Sequence, residues 1–527
     1  MILAMRFSVF KLFVQVLFLS ITLPLQAQLP RPDIMASSTN DFMSKRKEVL
    51  QKILYSDASG HYALFAKGKY GKGKKSVRKF DLNLKPTSYN LSLRFPKKVR
   101  EPLTVDVVAT GDRLYHIWKV WAKEGIQHFA QEINLGTKDI LPEKRISNID
   151  YVNGVSTRTT SFVQRDQEER FHLFSEILGN PNGNVALQFD SFDDGFDHRK
   201  TTTYQLPYTV KQFSLQRVLP FKNDGFFVIG KKFFSPNKTK SVKQKEYEYV
   251  IYHLIDGEAN LIHTITTDGT HMDGVASEVS DDHLVISAFK CNHNSSRPNG
   301  IYSFKYDIEN RRKVIENSCM LPDSFYDYPE LKDKKLSGIQ IGFQNKKWLA
   351  DGNYILKDIF SNQAQETIVV AEQEFYTQNV SPNAVGALMT PAKNFYSKDI
   401  VIFKLDKDGQ LLWHTKIVKN QEWGDNTILS YYPVFKNNTL YLFYNGNYIN
   451  PEVAERNFLN EQDAALICSV VNGDGSVYPK ILEYYTEEYP NVILPASTSY
   501  KETMGAILFH RAPGNLKRQK FTQVKFR

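Results

Sequence analysis

Several clusters in this chain carry residue types that could do chemistry. Gly68, Gly73 and Lys74 have the spacing of a phosphate-binding loop, but Lys75 stands where such a loop needs Ser or Thr for magnesium, and no strand-to-helix pattern follows. The glycines read instead as flexibility in a basic loop. Asp190, Asp193, Asp194, Gly195, Asp197 and His198 offer oxygen ligands, yet Phe192 and Thr201 fall where a calcium loop needs donors, so a solvated acidic turn is the simpler reading. His271 and Asp273 alternate onto one face of an extended segment with His263 nearby, and two ligands do not make a metal site. With twelve His spread along the chain and no His-Glu-x-x-His, Cys-x-x-Cys or Gly-x-Ser-x-Gly, neither a metal nor a cofactor is expected and no nucleophile is marked. The 57 acidic residues leave a glycosidase open, because one sequence does not say which carboxylates face each other.

Six other polar residues interrupt apolar runs. Glu372 and Gln373 end one run, Lys419 and Gln421 end another, and Tyr431 and Asn445 punctuate two more. Burying such groups without partners costs about 1–3 kcal/mol each, so they either bond one another and tie sheets together or face a wet ligand pocket. They are the candidate ligand-binding residues. A second candidate surface is basic: Lys69, Lys72, Lys74 and Lys75 in one insertion, and Lys238, Lys240, Lys243 and Lys245 in another, with no acid among them. Tyr70, Phe233 and Phe234 add stacking area. These clusters are either solvated loops or a cationic rim for an anionic glycan, lipid head group or other polymer.

The elements that must position these residues read as strands. Phe 35, Tyr 28 and Trp 5 favour half-buried pleated surfaces, and long helical periodicity is nearly absent. From Gln212 the chain reads as a four-stranded meander whose turns fall at Asn223 to Gly225 and at Asp256 and Gly257. The layout recurs from Ile428, with turns at Asn437 and Asn438 and at Asn472 to Gly475. Second strands of looser copies fall at Tyr62 to Ala66, Leu114 to Ala122, Val185 to Phe189, Leu284 to Phe289, Ile368 to Glu372 and Ala506 to Phe509, making eight units. The expected fold is all-β: a single β-propeller of seven to eight four-stranded blades over 48–527. The segment 28–47 supplies a ring-closing strand for a last unit that has three strands of its own. Long insertions (67–75, 233–247, 292–300, 375–398 and 446–463) all separate second from third strands and should crowd one face.

At the N-terminus Arg6 and Lys11 precede an apolar run, Leu12 to Leu23, and a small-residue end at Leu25, Gln26 and Ala27, the pattern of a signal peptide over 1–27. The chain is expected to be exported, periplasmic or at the outer surface, with 65 basic against 57 acidic residues and a net charge of +8 once 1–27 are removed. That location argues against nucleic acid as a partner, and no second apolar stretch is long enough to be a transmembrane anchor. Three cysteines exclude a disulfide scaffold.

The stretch DIVIFKLDKDGQLLWHTKI, Asp399 to Ile417, resembles the hairpin of quinoprotein-type propeller repeats, in which an Asp-Gly turn precedes a docking Trp, here Trp413. Together with VVAEQEFY (Val369 to Tyr376), IVKNQ (Ile417 to Gln421), SYYPVF (Ser430 to Phe435) and LYLFYNGNYIN (Leu440 to Asn450), it is similar to uncharacterised exported propeller-like proteins of Bacteroidota. Gly446 stands where that pattern has an acidic residue. The resemblance implies fold and compartment and lends no activity. The functional expectation is an envelope binding or scaffold propeller, probing an anionic glycan, lipid head group or protein through the long loops, with a carbohydrate-active hydrolase or lyase in the funnel as the alternative.

Overall fold

Among the described residues strand follows strand, and the sheets close into a ring. The computed structural model describes residues 34–39, 42–43, 48–67, 74–96, 99, 101–150, 158–166, 168, 170–179, 182–222, 224–234, 247–266, 270–280, 282–292, 298–322, 325, 354–379, 392–423, 426–447, 464–485, 492–501, 505–511 and 518–526. Eight antiparallel meanders, each with its strands in sequence order, form the blades: 48–92, 103–150, 158–209, 213–265, 270–320, 354–423, 431–484 and, last, 492–526. The fold is an eight-bladed β-propeller. Blade eight takes its outer strand from the other end of the chain: Ile34–Ser38 pairs antiparallel with Arg518–Phe526, from Ile34 opposite Phe526 to Ser38 opposite Thr522.

The turns follow from the residues at their tips. Asn437 and Asn438 hold φ of 49° and 58°, and Asp256 and Gly257 hold 52° and 84°, the left-handed values that tight hairpins require. Between blades, apolar faces meet in pairs. Val77 and Leu114 share a cluster across blades one and two, Ile117 and Leu173 across two and three, and Phe189 and Val228 across three and four. Ile251 with Phe304, Phe289 with Phe403, and Val370 with Leu442 continue the series. Phe65, Phe443 and Phe509 join blades seven, eight and one in one core, which completes the circle. First strands of adjoining blades approach one another, so they line the axis.

Two expectations about elements shift. Val185 to Phe189 lies in the third strand of its blade, not the second, which is Phe171–Leu178. The turn before it contains no glycine; Asp166 shapes it instead by accepting the N–H groups of Glu168 and Arg170, both at 2.9 Å. Much of the insertion at 375–398 is strand rather than loop: Thr367–Asn379 and Ala392–Leu405 stay paired out to Asn379 opposite Ala392, and 380–391 lie outside the described residues. Cys291 and Cys319 stand on the second and fourth strands of blade five with a third between, which sets them at least about 9–10 Å apart, further than a disulfide spans.

Candidate functional site

The candidate site lies at the junction of blades six and seven, on the face where second strands turn into third strands. A bulge at Gln373 separates the register pairs of Glu372 and Glu374, and such a bulge re-aims side chains at a strand end. Glu372 is fully buried. Its Oε1 accepts from Ser397 Oγ at 2.6 Å and from Lys419 Nζ at 2.6 Å, and its Oε2 accepts from Ser430 Oγ and Lys357 Nζ. Four donors saturate a carboxylate.

The bonds continue across the ring. Lys419 Nζ also donates to Ser397 Oγ at 2.6 Å and to Gln421 Oε1 at 2.9 Å. Gln421 Oε1 accepts the Ser430 N–H at 2.7 Å, and its Nε2 donates to the Asn445 carbonyl at 2.6 Å. Asn445 Nδ2 donates to the carbonyls of Ile428 at 2.8 Å and Ile493 at 3.0 Å, while its Oδ1 accepts from Tyr485 Oη at 2.5 Å and the Ile493 N–H at 3.0 Å. Blades six, seven and eight are thereby tied by one buried network. Tyr431 stands beside it, donating to Asp358 Oδ2 at 2.7 Å, with Lys357 Nζ 5.6 Å from its ring centroid. Gln373 is buried opposite Tyr354.

Charge is managed by pairing. Burial alone would raise the Glu372 carboxyl, but Lys419 and Lys357 outweigh it and hold it at about 2. Burial pushes Glu374 and Asp358 up against the opposing pull of Lys357. Burial and then the Asp358 charge push Tyr431 well up, so its hydroxyl remains a donor. The network opens to solvent through Lys357 and Glu374, whose side chains are 22% and 34% exposed.

Lys357, Ser397, Ser430, Glu374, Asp358 and Tyr485 were not legible as site residues. Lys357 and Asp358 sit in the run YILKDIFS, where period-two alternation gives no reason to single them out. Of the basic rim, Lys74 is exposed, and Lys75 is partly buried at the head of Lys75–Phe80, its ammonium drawn down by burial and, less, by Lys52, while Asp106 opposes. Lys69, Lys72, Lys238, Lys240, Lys243 and Lys245 lie outside the described residues.

In the acidic turn, Asp193 Oδ1 caps the N–H groups of Gly195 at 3.0 Å and Asp197 at 2.9 Å, and Asp190 accepts from Ser147 and Thr201, each at 2.6 Å. His263 faces Tyr302 at 3.0 Å and Glu316 at 3.1 Å, on the fourth strand of blade four, whereas His271 and Asp273 are on the first strand of blade five. Among the described residues no three His, Cys, Asp or Glu side chains gather as a metal site.

One constellation carried no sequence signal at all. His172 Nδ1 lies 2.9 Å from Ser191 Oγ and Nε2 lies 2.9 Å from Asp166 Oδ2, the residue types of a hydrolytic triad with the two ring nitrogens exchanged. Ser191 is 3% exposed, so no substrate reaches it, and Asp166 is also held by Arg170 Nε at 2.8 Å. The triad braces a turn. Trp413 likewise braces a blade, donating from Nε1 to the Gly473 carbonyl at 3.0 Å.

No protein-family model and no curated protein matches this chain. Among solved structures it is similar to a protein of unknown function from Bacteroides caccae (11% identity, TM-score 0.25, 68% of this chain and 94% of that one). It is also similar to the polysaccharide lyase Uly1 (10%, 0.35, 80% and 90%) and to the Nup133 β-propeller domain of Vanderwaltozyma polyspora (9%, 0.36, 80% and 99%). Likenesses this distant carry no argument about chemistry. Among the described residues, no helix is long and apolar enough to cross a membrane.

Proposed function

We propose that this chain is an exported binding propeller of the cell envelope that holds an anionic glycan on the face bearing its second-to-third-strand loops. One observation carries the reading: the hydrogen-bonding groups of Glu372, Lys419, Gln421 and Asn445 are all bonded within the protein, to one another, to neighbouring side chains such as Ser397, Ser430 and Tyr485, or to backbone. Saturated groups hold blades together and leave recognition to other groups, the partly exposed Glu374 beside them and the basic insertions read from the sequence. The +8 charge expected once 1–27 are removed and the long loops of one face support a partner that is large and acidic. Export rests on the 1–27 pattern and is tested by N-terminal sequencing of the secreted chain.

A second reading, a polysaccharide-cleaving enzyme, is favoured by Glu374 and Asp358, two carboxyls with raised proton affinity beside one lysine. A screen of the purified chain against anionic and neutral envelope glycans, with product analysis of every hit, separates the two. Retention of intact anionic polymer supports the binder and its absence rejects it, while new chain ends on any glycan support the enzyme and their absence rejects that reading.

A further inference from the structure

Five first strands carry a bulge near the end that faces the long loops: between Leu50 and Lys52, Thr104 and Asp106, Leu215 and Arg217, Asp273 and Val275, and Leu356 and Asp358. The residues just past each bulge, Lys52, Asp106, Arg217, Val275 and Asp358, are equivalent in register, opposite Leu64, Ile117, Ile229, Ala288 and Val370. First strands line the axis, so this position places four charged side chains around the funnel. Neighbouring equivalents can meet: Lys52 Nζ lies 2.7 Å from Asp106 Oδ1, joining blades one and two.

Arg217 and Asp358 do not meet, because blade five lies between them. That blade offers Gly274 at its bulge, with φ of 65°, and then buried Val275, so the position equivalent to Arg217 and Asp358 carries no charge in blade five. Arg217 is half-buried and makes no hydrogen bond or ion pair among the described residues. The Asp358 carboxyl feels the Arg217 charge and has Oδ2 fixed by Tyr431, which leaves Oδ1 to accept. A half-buried guanidinium without a partner is costly unless something occupies its fork, and a carboxylate is the group that fork matches.

We infer that the funnel wall over blade five binds a uronic acid, the sugar carboxylate on Arg217 and a ring hydroxyl on Asp358, with Tyr431 orienting the Asp358 carboxyl. This rests on the anionic-glycan reading and narrows it to one sugar unit. The test is calorimetric titration of the purified chain with D-glucuronate, D-glucose and a glucuronate-containing oligosaccharide, repeated on Arg217→Gln and Asp358→Asn with melting curves alongside. Glucuronate should bind roughly tenfold or more tightly than glucose, and Arg217→Gln should lose that preference while melting within about 2 °C of the parent, since it breaks no hydrogen bond or ion pair among the described residues. Tighter binding of the oligosaccharide identifies a polymer unit as the occupant, and equal binding identifies the free sugar acid. Equal glucuronate affinity in the parent and Arg217→Gln overturns the site. Absence of glucuronate binding also overturns it, and if another anionic glycan is still retained the broader reading stands without it.

Discussion

Asn445 grips Ile493 from both sides of its peptide: the amide Nδ2 donates to the Ile493 carbonyl and the amide oxygen accepts the Ile493 N–H, each at 3.0 Å. A side-chain amide used this way substitutes for a strand partner between blades seven and eight. Asn445→Ala would leave the Ile428 and Ile493 groups and Tyr485 Oη without their partner in a dry junction, at about 1–3 kcal/mol for each group left unmade. The expected total, about 3–5 kcal/mol, should appear as a lower urea midpoint with an unchanged slope. Asn445→Asp should be almost as damaging, since a carboxylate cannot donate to the two carbonyls. Near-native stability of both variants would remove the clasp role.

Glu372 makes the stability depend on acid in a defined direction. Its folded pKa is about 2, below the ordinary carboxylate value, so its contribution is complete above about 4.5 and is lost as pH falls through 2. Glu374 and Asp358, raised by burial, act oppositely and are relieved as pH falls through their folded values. Glu372→Gln keeps the shape but strands Lys419 without its counter-ion, at a cost of about 3–5 kcal/mol for a broken buried pair. The gap between parent and variant, measured by chemical denaturation from pH 7 to pH 2.5, should be widest above pH 4.5 and narrow below it. A constant gap would mean that Glu372 acts by shape alone.

Buried histidines should make acid sensitivity begin earlier. Burial, with Lys119 adding to it, pulls His128 to about 3, and burial, with Lys75 adding, pulls His116 to about 4. Between about 6.5 and those values the unfolded chain holds protons that the folded chain refuses, so stability declines as pH drops below about 6.5, at roughly 1.4 kcal/mol per unit for each group. His128 bonds Ser161 Oγ at 3.0 Å, a contact that Gln can reproduce. His128→Gln should therefore flatten the melting-temperature profile between pH 6 and pH 4. An unchanged profile would place the acid sensitivity elsewhere.

Blades four and seven were readable from sequence because their turns announce themselves chemically, through Asp256 with Gly257 and Asn437 with Asn438. Blade three was displaced by one strand because its first strand, RTTSFVQR, is polar and its turn is made by a side chain, Asp166, rather than by glycine. The site was half legible for a related reason. Glu372, Lys419, Gln421 and Asn445 stand out as polar residues in apolar runs, whereas Lys357 and Ser430 join them through a bulge and a blade crossing, features of three-dimensional register that a linear pattern does not contain.

The ring closes on one strand pair of five residue pairs, and that closure should be separable from the rest of the fold. Ile34–Ser38 covers the edge of Arg518–Phe526, buries Ile34, receives Lys480 Nζ from blade seven on the Ile34 carbonyl at 2.8 Å, and places Ser38 Oγ 2.7 Å from Thr522 Oγ1. Each strand hydrogen bond contributes roughly 0.5–1.5 kcal/mol and burial of Ile34 about 1.5–3 kcal/mol, so losing the strand is not a minor trim. It also bares an edge flanked by the buried Phe521 and Val524, and exposed edges recruit other strands. A chain beginning at residue 40 should melt lower and self-associate. A synthetic peptide of residues 28–43 should restore the melting temperature by adding itself as the missing strand, in the manner of β-augmentation. The same peptide with Ile34 replaced by Asp should not restore it. If the shortened chain melts like the parent and stays monomeric, the N-terminal strand does not hold the ring closed.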